Sequence, residues 1–223
     1  MLTLVPTPIG NLKDISQRAI ECLSNADLIL AEDTRTSGIL LNHIGVNTPM
    51  RAFHKDNEHR MLEQTVEEVR SSNVCLISDA GTPGISDPGF LLVRACIEEG
   101  LQVEVLPGAT ALIPAVVLSG FPSDRFVFEG FLPHKKGRQK RWTELAAESR
   151  TMVFYESPHR IAKFVDECVE HCGAERRVVI VRELTKKFEE VIRGTATELQ
   201  TVLSERKLKG EIVVVVEGKD SKA

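Results

Sequence analysis

Val74-Cys75-Leu76-Ile77-Ser78-Asp79-Ala80-Gly81-Thr82-Pro83-Gly84-Ile85-Ser86-Asp87-Pro88-Gly89 is the stretch on which the fold turns. Its first four residues are an uninterrupted apolar run, the pattern of a strand buried on both faces of a parallel sheet. Phe90 to Glu99 then shows amphipathic helical spacing. The loop between them therefore leaves the carboxyl end of a parallel strand, where open α/β sheets bind their ligands. Its three glycines let the backbone approach a ligand, its two prolines stiffen it, and its two aspartates add acceptors. It is no phosphate loop of the familiar kinds: the chain has no G-x-x-x-x-G-K-[ST], and no G-x-G-x-x-G follows its first strand. Carboxylates suit hydroxyls, amines or a cation better than a pyrophosphate.

On either side of this stretch, strand and helix signals alternate. Strands are expected at Leu2 to Val5, Leu28 to Ala31, Arg51 to Phe53 and Val103 to Leu106. Helices are expected at Ile15 to Leu23, Thr36 to His43, Met61 to Arg70 and Ala109 to Leu118. Such alternation implies parallel strands with right-handed crossovers. Four strands then deliver Pro/Gly or charged loops to one face: Pro6-Thr7-Pro8-Ile9-Gly10, Glu32-Asp33-Thr34-Arg35, the long loop, and Pro107-Gly108-Ala109-Thr110-Ala111. Asp33 also suits the role of a helix cap.

Turn residues at Ser119 to Asp124 mark a boundary, giving domains at 1–118 and 125–223. Beyond it, strands at Phe126 to Phe131, Met152 to Tyr155, Val178 to Val181, Phe188 to Ile192 and Ile212 to Val216 come in pairs, the mark of a mixed sheet. Helices are expected at Arg138 to Ala147, Pro158 to His171 and Thr195 to Leu203. The fold class is α/β, as two α/β domains with a cleft between them.

An apolar fraction of 42% and a charged fraction of 27% are those of a soluble globular protein, and aromatics at 5% leave packing to Leu, Ile, Val and Ala. A net charge of −4 argues against non-specific coating of nucleic acid but allows a local basic patch. Five cysteines without regular spacing indicate reduced thiols and a cytoplasmic setting. Cys168, His171 and Cys172 have no second cluster to complete a tetrahedral set, so no metal is expected. The amino terminus lacks a basic region and is broken by proline, unlike a signal peptide. No apolar run approaches the roughly 20 residues of a membrane span.

His134-Lys135-Lys136-Gly137-Arg138-Gln139-Lys140-Arg141 is a basic run in an otherwise acidic chain, the concentration that phosphate binding requires. Phe154-Tyr155-Glu156-Ser157-Pro158-His159-Arg160 and Arg182-Glu183-Leu184-Thr185-Lys186 are further charged loops after strands.

Together with Val5-Pro6-Thr7-Pro8-Ile9-Gly10-Asn11-Leu12 and Ala31-Glu32-Asp33-Thr34-Arg35-Thr36-Ser37, these motifs resemble, in order from residue 2 to about 218, the cytidine 2′-O-methyltransferase branch of the tetrapyrrole methylase superfamily. The resemblance implies S-adenosylmethionine bound in the cleft between two α/β domains, a homodimer, and small-subunit ribosomal RNA, naked or assembled, as substrate. By position, Pro8, Ala80, Gly81, Thr82, Ile85, Thr110 and Ala111 would line the donor site, with Tyr155, Glu156 and Leu184 closing it from the second domain. Asp33 would handle the acceptor proton, Arg35 would position it or a neighbouring phosphate, and Glu156 is the reserve base. Lys135, Lys136, Arg138, Arg141 and Arg160 are expected on RNA. Many members of the branch carry a further carboxyl-terminal helical segment, so the run at 135–141 is expected to do more here. Pro6 and Pro8 flank Thr7 where other branches have a glycine-rich loop, which reads as a branch marker.

Three other readings use the same residues. A tetrapyrrole C-methyltransferase would need a broad apolar trough lined by arginines, which the basic run fits less well. A non-catalytic RNA-binding or assembly protein has no use for so full a set of donor loops. A metal-dependent phosphohydrolase could place magnesium on Asp79 and Asp87 but lacks a phosphate cradle.

Overall fold

The computed structural model describes residues 1–220; residues 221–223 of the expected second domain lie outside them. The chain divides into two compact units, Met1–Thr110 and Ala111–Ala223, so the division falls ahead of the turn at 119–124. Among the described residues, no helix is long and apolar enough to cross a membrane.

The first unit is a parallel sheet of β1 (Leu2–Leu4), β2 (Leu28–Ala31), β3 (Met50–Ala52), β4 (Val74–Ile77) and β5 (Val103–Val105), in the order β3-β2-β4-β1-β5. Its helices are α1 (Gln17–Asn25), α2 (Thr34–Ile44), α3 (Glu58–Ser71) and α4 (Phe90–Glu98). Strand residues alternate between two cores. Leu2, Leu4, Leu30 and Leu76 pack with Val66 and Val69 of α3 and Leu92 and Cys96 of α4. Ile29, Ala31, Cys75 and Ile77 pack with Ala19 and Leu23 of α1 and Leu41 of α2. Both faces of the sheet are thus covered, which is why β4 reads as an unbroken apolar run. Helix starts are set locally: Ser16 caps α1 by accepting from Ala19 N, and Asp33 caps α2 by accepting from Arg35 N.

Adjacent β1 and β4 send α1 and α4 to opposite faces of the sheet. That is a topological switch point, the place in an open α/β sheet where ligands bind, at the carboxyl ends of the strands.

The second unit begins with α5 (Leu112–Ser119), which packs on β7, β8 and β10 of a mixed sheet. The sheet holds β6 (Phe126–Phe131), β7 (Thr151–Glu156), β8 (Arg177–Arg182), β9 (Glu190–Thr195) and β10 (Ile212–Val216), in the order β6-β7-β10-β8-β9. Only β6 and β7 are parallel; the other pairs are antiparallel. Its other face is covered by α6 (Arg138–Leu145), α7 (Ile161–Cys172) and α8 (Ala196–Glu205), around Trp142, Phe154, Phe164 and Leu199. A capping box between Thr195 and Glu198 starts α8. Three expected helices start two or three residues later than their apolar pattern: α1 at Gln17, because Ser16 is its cap, α5 at Leu112, because Pro107 to Ala111 form a loop, and α7 at Ile161, because Ser157 to Arg160 form a turn.

Candidate active site

Four loops meet above the switch point of the first unit. Thr7 and Gly81 form a two-way backbone bridge, N to O at 2.9 and 3.0 Å, tying the β1 loop to the long loop after β4. The Thr7 hydroxyl donates to Ser78 O at 3.0 Å, and Thr82 Oγ1 donates to Ala109 O at 3.0 Å, fastening the long loop to the loop after β5. Gly108 lies so close to Pro6 that an added Cβ would sit 2.5 Å from the proline Cβ. Gly81 is at φ +91°, and its added Cβ would press on Ile9 at 3.3 Å. Only glycine permits both the approach and the turn. Asp33 N donates to Asp79 Oδ1 at 3.1 Å, so the β2 loop joins the same group.

Pro8, Ala80, Gly81, Thr82 and Thr110 therefore sit on loops that the structure ties together. Ile85 lies further along the long loop and is 39% exposed. Ala111 opens the second unit. Tyr155 lies at the end of β7, and Leu184 follows β8 between two residues with positive φ, Glu183 (51°) and Thr185 (64°). β7 and β8 both run antiparallel to the β10 strand between them, so these two loops share one end of the second sheet.

The electrostatics of the acidic loops are uneven. Arg35 donates to Asp33 through Nη2 at 2.6 Å and Nε at 3.1 Å, and this pairing lowers the Asp33 pKa to about 2. Burial, reinforced by Glu32, raises Asp87 to about 6. Burial also raises Asp79 above the usual carboxylate range. Two supporting residues are not singled out by the sequence. Glu58 accepts from Gly89 N at 3.1 Å, and Lys55 donates to Ser86 O at 2.9 Å. The signal for them is the polar run His54 to Glu58 after β3, at the same carboxyl edge as the other loops.

Three expected site residues turn inward within the second unit. Arg138 is 3% exposed, with Nε on Glu167 at 2.8 Å and Nη1 on Pro133 O at 3.1 Å. Glu167 also accepts from Trp142 Nε1 at 3.0 Å. Glu156 is 2% exposed and holds Arg160 at 2.7 Å and Ser157 N at 2.7 Å. A buried charge must stay paired, so Arg138 is held on Glu167, whereas Arg160, its side chain 19% exposed, is drawn toward Glu156. Glu156 for the same reason is not an accessible base. Arg141 is shared between Glu129 (2.5 Å) and Glu144 (2.6 Å), which offset its charge. Lys135 and Lys136 remain exposed on the surface.

Glycine-bearing loops tied together at the switch point of a parallel sheet, in a chain whose second unit is a mixed sheet, define an α/β enzyme of two units. Residues 1–200 match the family Tetrapyrrole (Corrin/Porphyrin) Methylases. Ribosomal RNA small subunit methyltransferase I of Haemophilus influenzae is 50% identical over 98% of this chain and 79% of its own length. The proteins of that name from Escherichia coli O157:H7 and Thermotoga maritima are 48% and 43% identical, the latter over 98% of this chain and 99% of its own. Among solved structures, diphthine synthase superposes with a TM-score of 0.76 over 97% of this chain and 89% of that one, at 15% identity. The methyltransferase CobJ superposes at 0.72 over 100% and 95%, at 18% identity. These two likenesses are of fold. The chain belongs to the tetrapyrrole methylase family, whose members use S-adenosylmethionine as methyl donor.

Proposed function

We propose that this protein transfers a methyl group from S-adenosylmethionine to the 2′-hydroxyl of a cytidine ribose in small-subunit ribosomal RNA, in the cytoplasm and as a homodimer. The observation that carries the reading is identity of 43% to 50%, over nearly the whole chain, with proteins named for small-subunit ribosomal RNA methylation. The tied loops support it. Gly81, Gly84 and Gly108 put no side chain on these loops, so a small ligand such as a nucleoside with an amino-acid tail can approach the backbone closely.

When bound, the sulfonium supplies an electrophilic methyl group for in-line displacement. Pro8, Ala80, Gly81, Thr82, Ile85 and Thr110 of the first unit would hold the donor. Most of the acceleration then comes from alignment, for which effective molarities reach roughly 10⁵ M or more.

Asp33 is the general base of this reading. At a pKa of about 2, under Arg35, it is ionised but weakly basic. The Arg35 side chain is 90% exposed, and exposed pairs are held only weakly. Drawing Arg35 onto a phosphate beside the acceptor would release Asp33 and return its basicity toward an ordinary carboxylate. Substrate arrival and base activation are thereby coupled.

Labelled-methyl transfer to unmodified small subunits, followed by digestion and mass spectrometry, tests the reading. The expected product is 2′-O-methylcytidine; a different methylated nucleoside, or none, overturns it. Asp33→Asn should lower turnover by roughly 10² to 10⁴ with donor affinity unchanged. A loss below about tenfold removes Asp33 from the role.

A further inference from the structure

The edge strand β6 is irregular. Phe128 pairs with Val153 but Gly130 pairs with Phe154, so Glu129 is the extra residue of a bulge, with Gly130 at φ +60°. One extra residue flips every later side chain to the other face of a strand, and bulges re-aim side chains in this way. Phe131, opposite Tyr155, consequently shares a face with Phe128. Both rings meet Tyr155 edge to face, at centroid distances of 5.0 Å for Phe128 and 5.7 Å for Phe131.

Phe131 is the outermost of the three, 55% exposed, on the wall of an open groove of about 400 Å³ between β6 and α6. Lys140 lines the same groove, and Lys135 and Lys136 are exposed on the loop that joins its two walls. The carboxylates in the groove, Glu129 and Glu144, are both taken by Arg141. Among the described residues, no carboxylate pairs with Lys135, Lys136 or Lys140. The β6 edge thus carries an exposed, propped aromatic ring on the face of Tyr155, with one uncompensated cation, Lys140, in the groove on the α6 side and two more, Lys135 and Lys136, on the loop that follows. A polyanion with flat π faces complements that combination, and single-stranded nucleic acid is bound in this manner elsewhere. Two copies of this chain meeting through the groove would instead bring its lysines together.

We propose that Phe131 is a stacking platform for an unpaired nucleobase of the RNA substrate, with Lys135, Lys136 and Lys140 on the neighbouring phosphates. The proposal rests on the RNA reading above and deepens it by naming where the strand is gripped.

Binding of a single-stranded, cytidine-containing RNA oligonucleotide and of unmodified small subunits is measured for the full chain and for Phe131→Ala, Phe131→Leu and Phe131→Tyr. Loss of a stacked base should weaken RNA binding roughly five- to hundredfold in the alanine and leucine variants. The tyrosine variant should stay near the parent, with the salt slope unchanged in all three. Phe131→Trp adds a direct reading, because the chain's own Trp142 is fully buried: fluorescence of the new ring should be quenched as RNA binds. Parent-like binding by the leucine variant, or a changed association state with unchanged RNA affinity, overturns the platform. RNA held through Phe131 without any methyl transfer sinks the proposed function but not the platform. Methyl transfer that ignores Phe131 does the reverse.

Discussion

The loop group of the first unit and the β6–α6 face of the second are built from opposite materials. The former is made of backbone: a Thr7–Gly81 bridge, a Thr82 to Ala109 bond and a glycine pressed on Pro6. Its charges are carboxylates held by neighbours. The latter is made of side chains: an exposed ring and lysines on flexible stems. A rigid backbone crevice suits one small ligand of fixed shape. Mobile cations suit a long polyanion whose phosphates can be met in several registers. The difference teaches that affinity for donor and for RNA should be separable by substitution.

Arg138→Ala attacks the comparison from inside the basic run. It leaves Glu167 buried without its partner, so unfolding free energy should fall by about 3–5 kcal/mol, read by denaturant titration. An unchanged midpoint would return Arg138 to the surface set. Gly108→Ala should cost about 1–3 kcal/mol of stability through the clash with Pro6 and weaken donor binding by calorimetry, while leaving RNA affinity at the β6–α6 face alone.

Asp87 gives a pH signature. Its folded pKa, about 6, lies above the ordinary aspartate value of 3.8, so the folded state holds its proton more tightly. Stability from this group is fully present below pH 4 and fades as pH rises through 6. Asp87→Asn should therefore be more stable than the parent at pH 8 by about 1 kcal/mol, a figure discounted for partial exposure. That gap should close on acidification, and a constant gap across thermal melts from about pH 4 to 8 would contradict the assignment.

The smallest effect per residue belongs to the lysines. Replacing Lys135 and Lys136 with alanine should leave the melting temperature alone and lower the slope of log affinity against log salt by roughly 0.7–0.9 for each phosphate left without its lysine. An unchanged slope would show that the exposed run does not touch phosphates.

The sequence by itself determined the strands, nearly all the helices, the parallel first sheet, the mixed second sheet and the loops at the carboxyl edge. Apolar run length, alternation and turn chemistry are local signals, and β2, β4, β6 and β10 were legible to the residue. Only the tertiary structure decided which members of one charge run face water. Arg138 and Lys136 are equally basic in the sequence, but helix α6 turns Arg138 onto Glu167 beneath Trp142 while the preceding loop keeps Lys136 outside. Nor did the sequence disclose that Arg35 would depress Asp33, that Gly108 would touch Pro6, or that a bulge at Glu129 would bring Phe131 round to Tyr155. Each of these depends on how the chain is placed in space. Charge and periodicity are properties of a segment, whereas burial and pairing are properties of its neighbours.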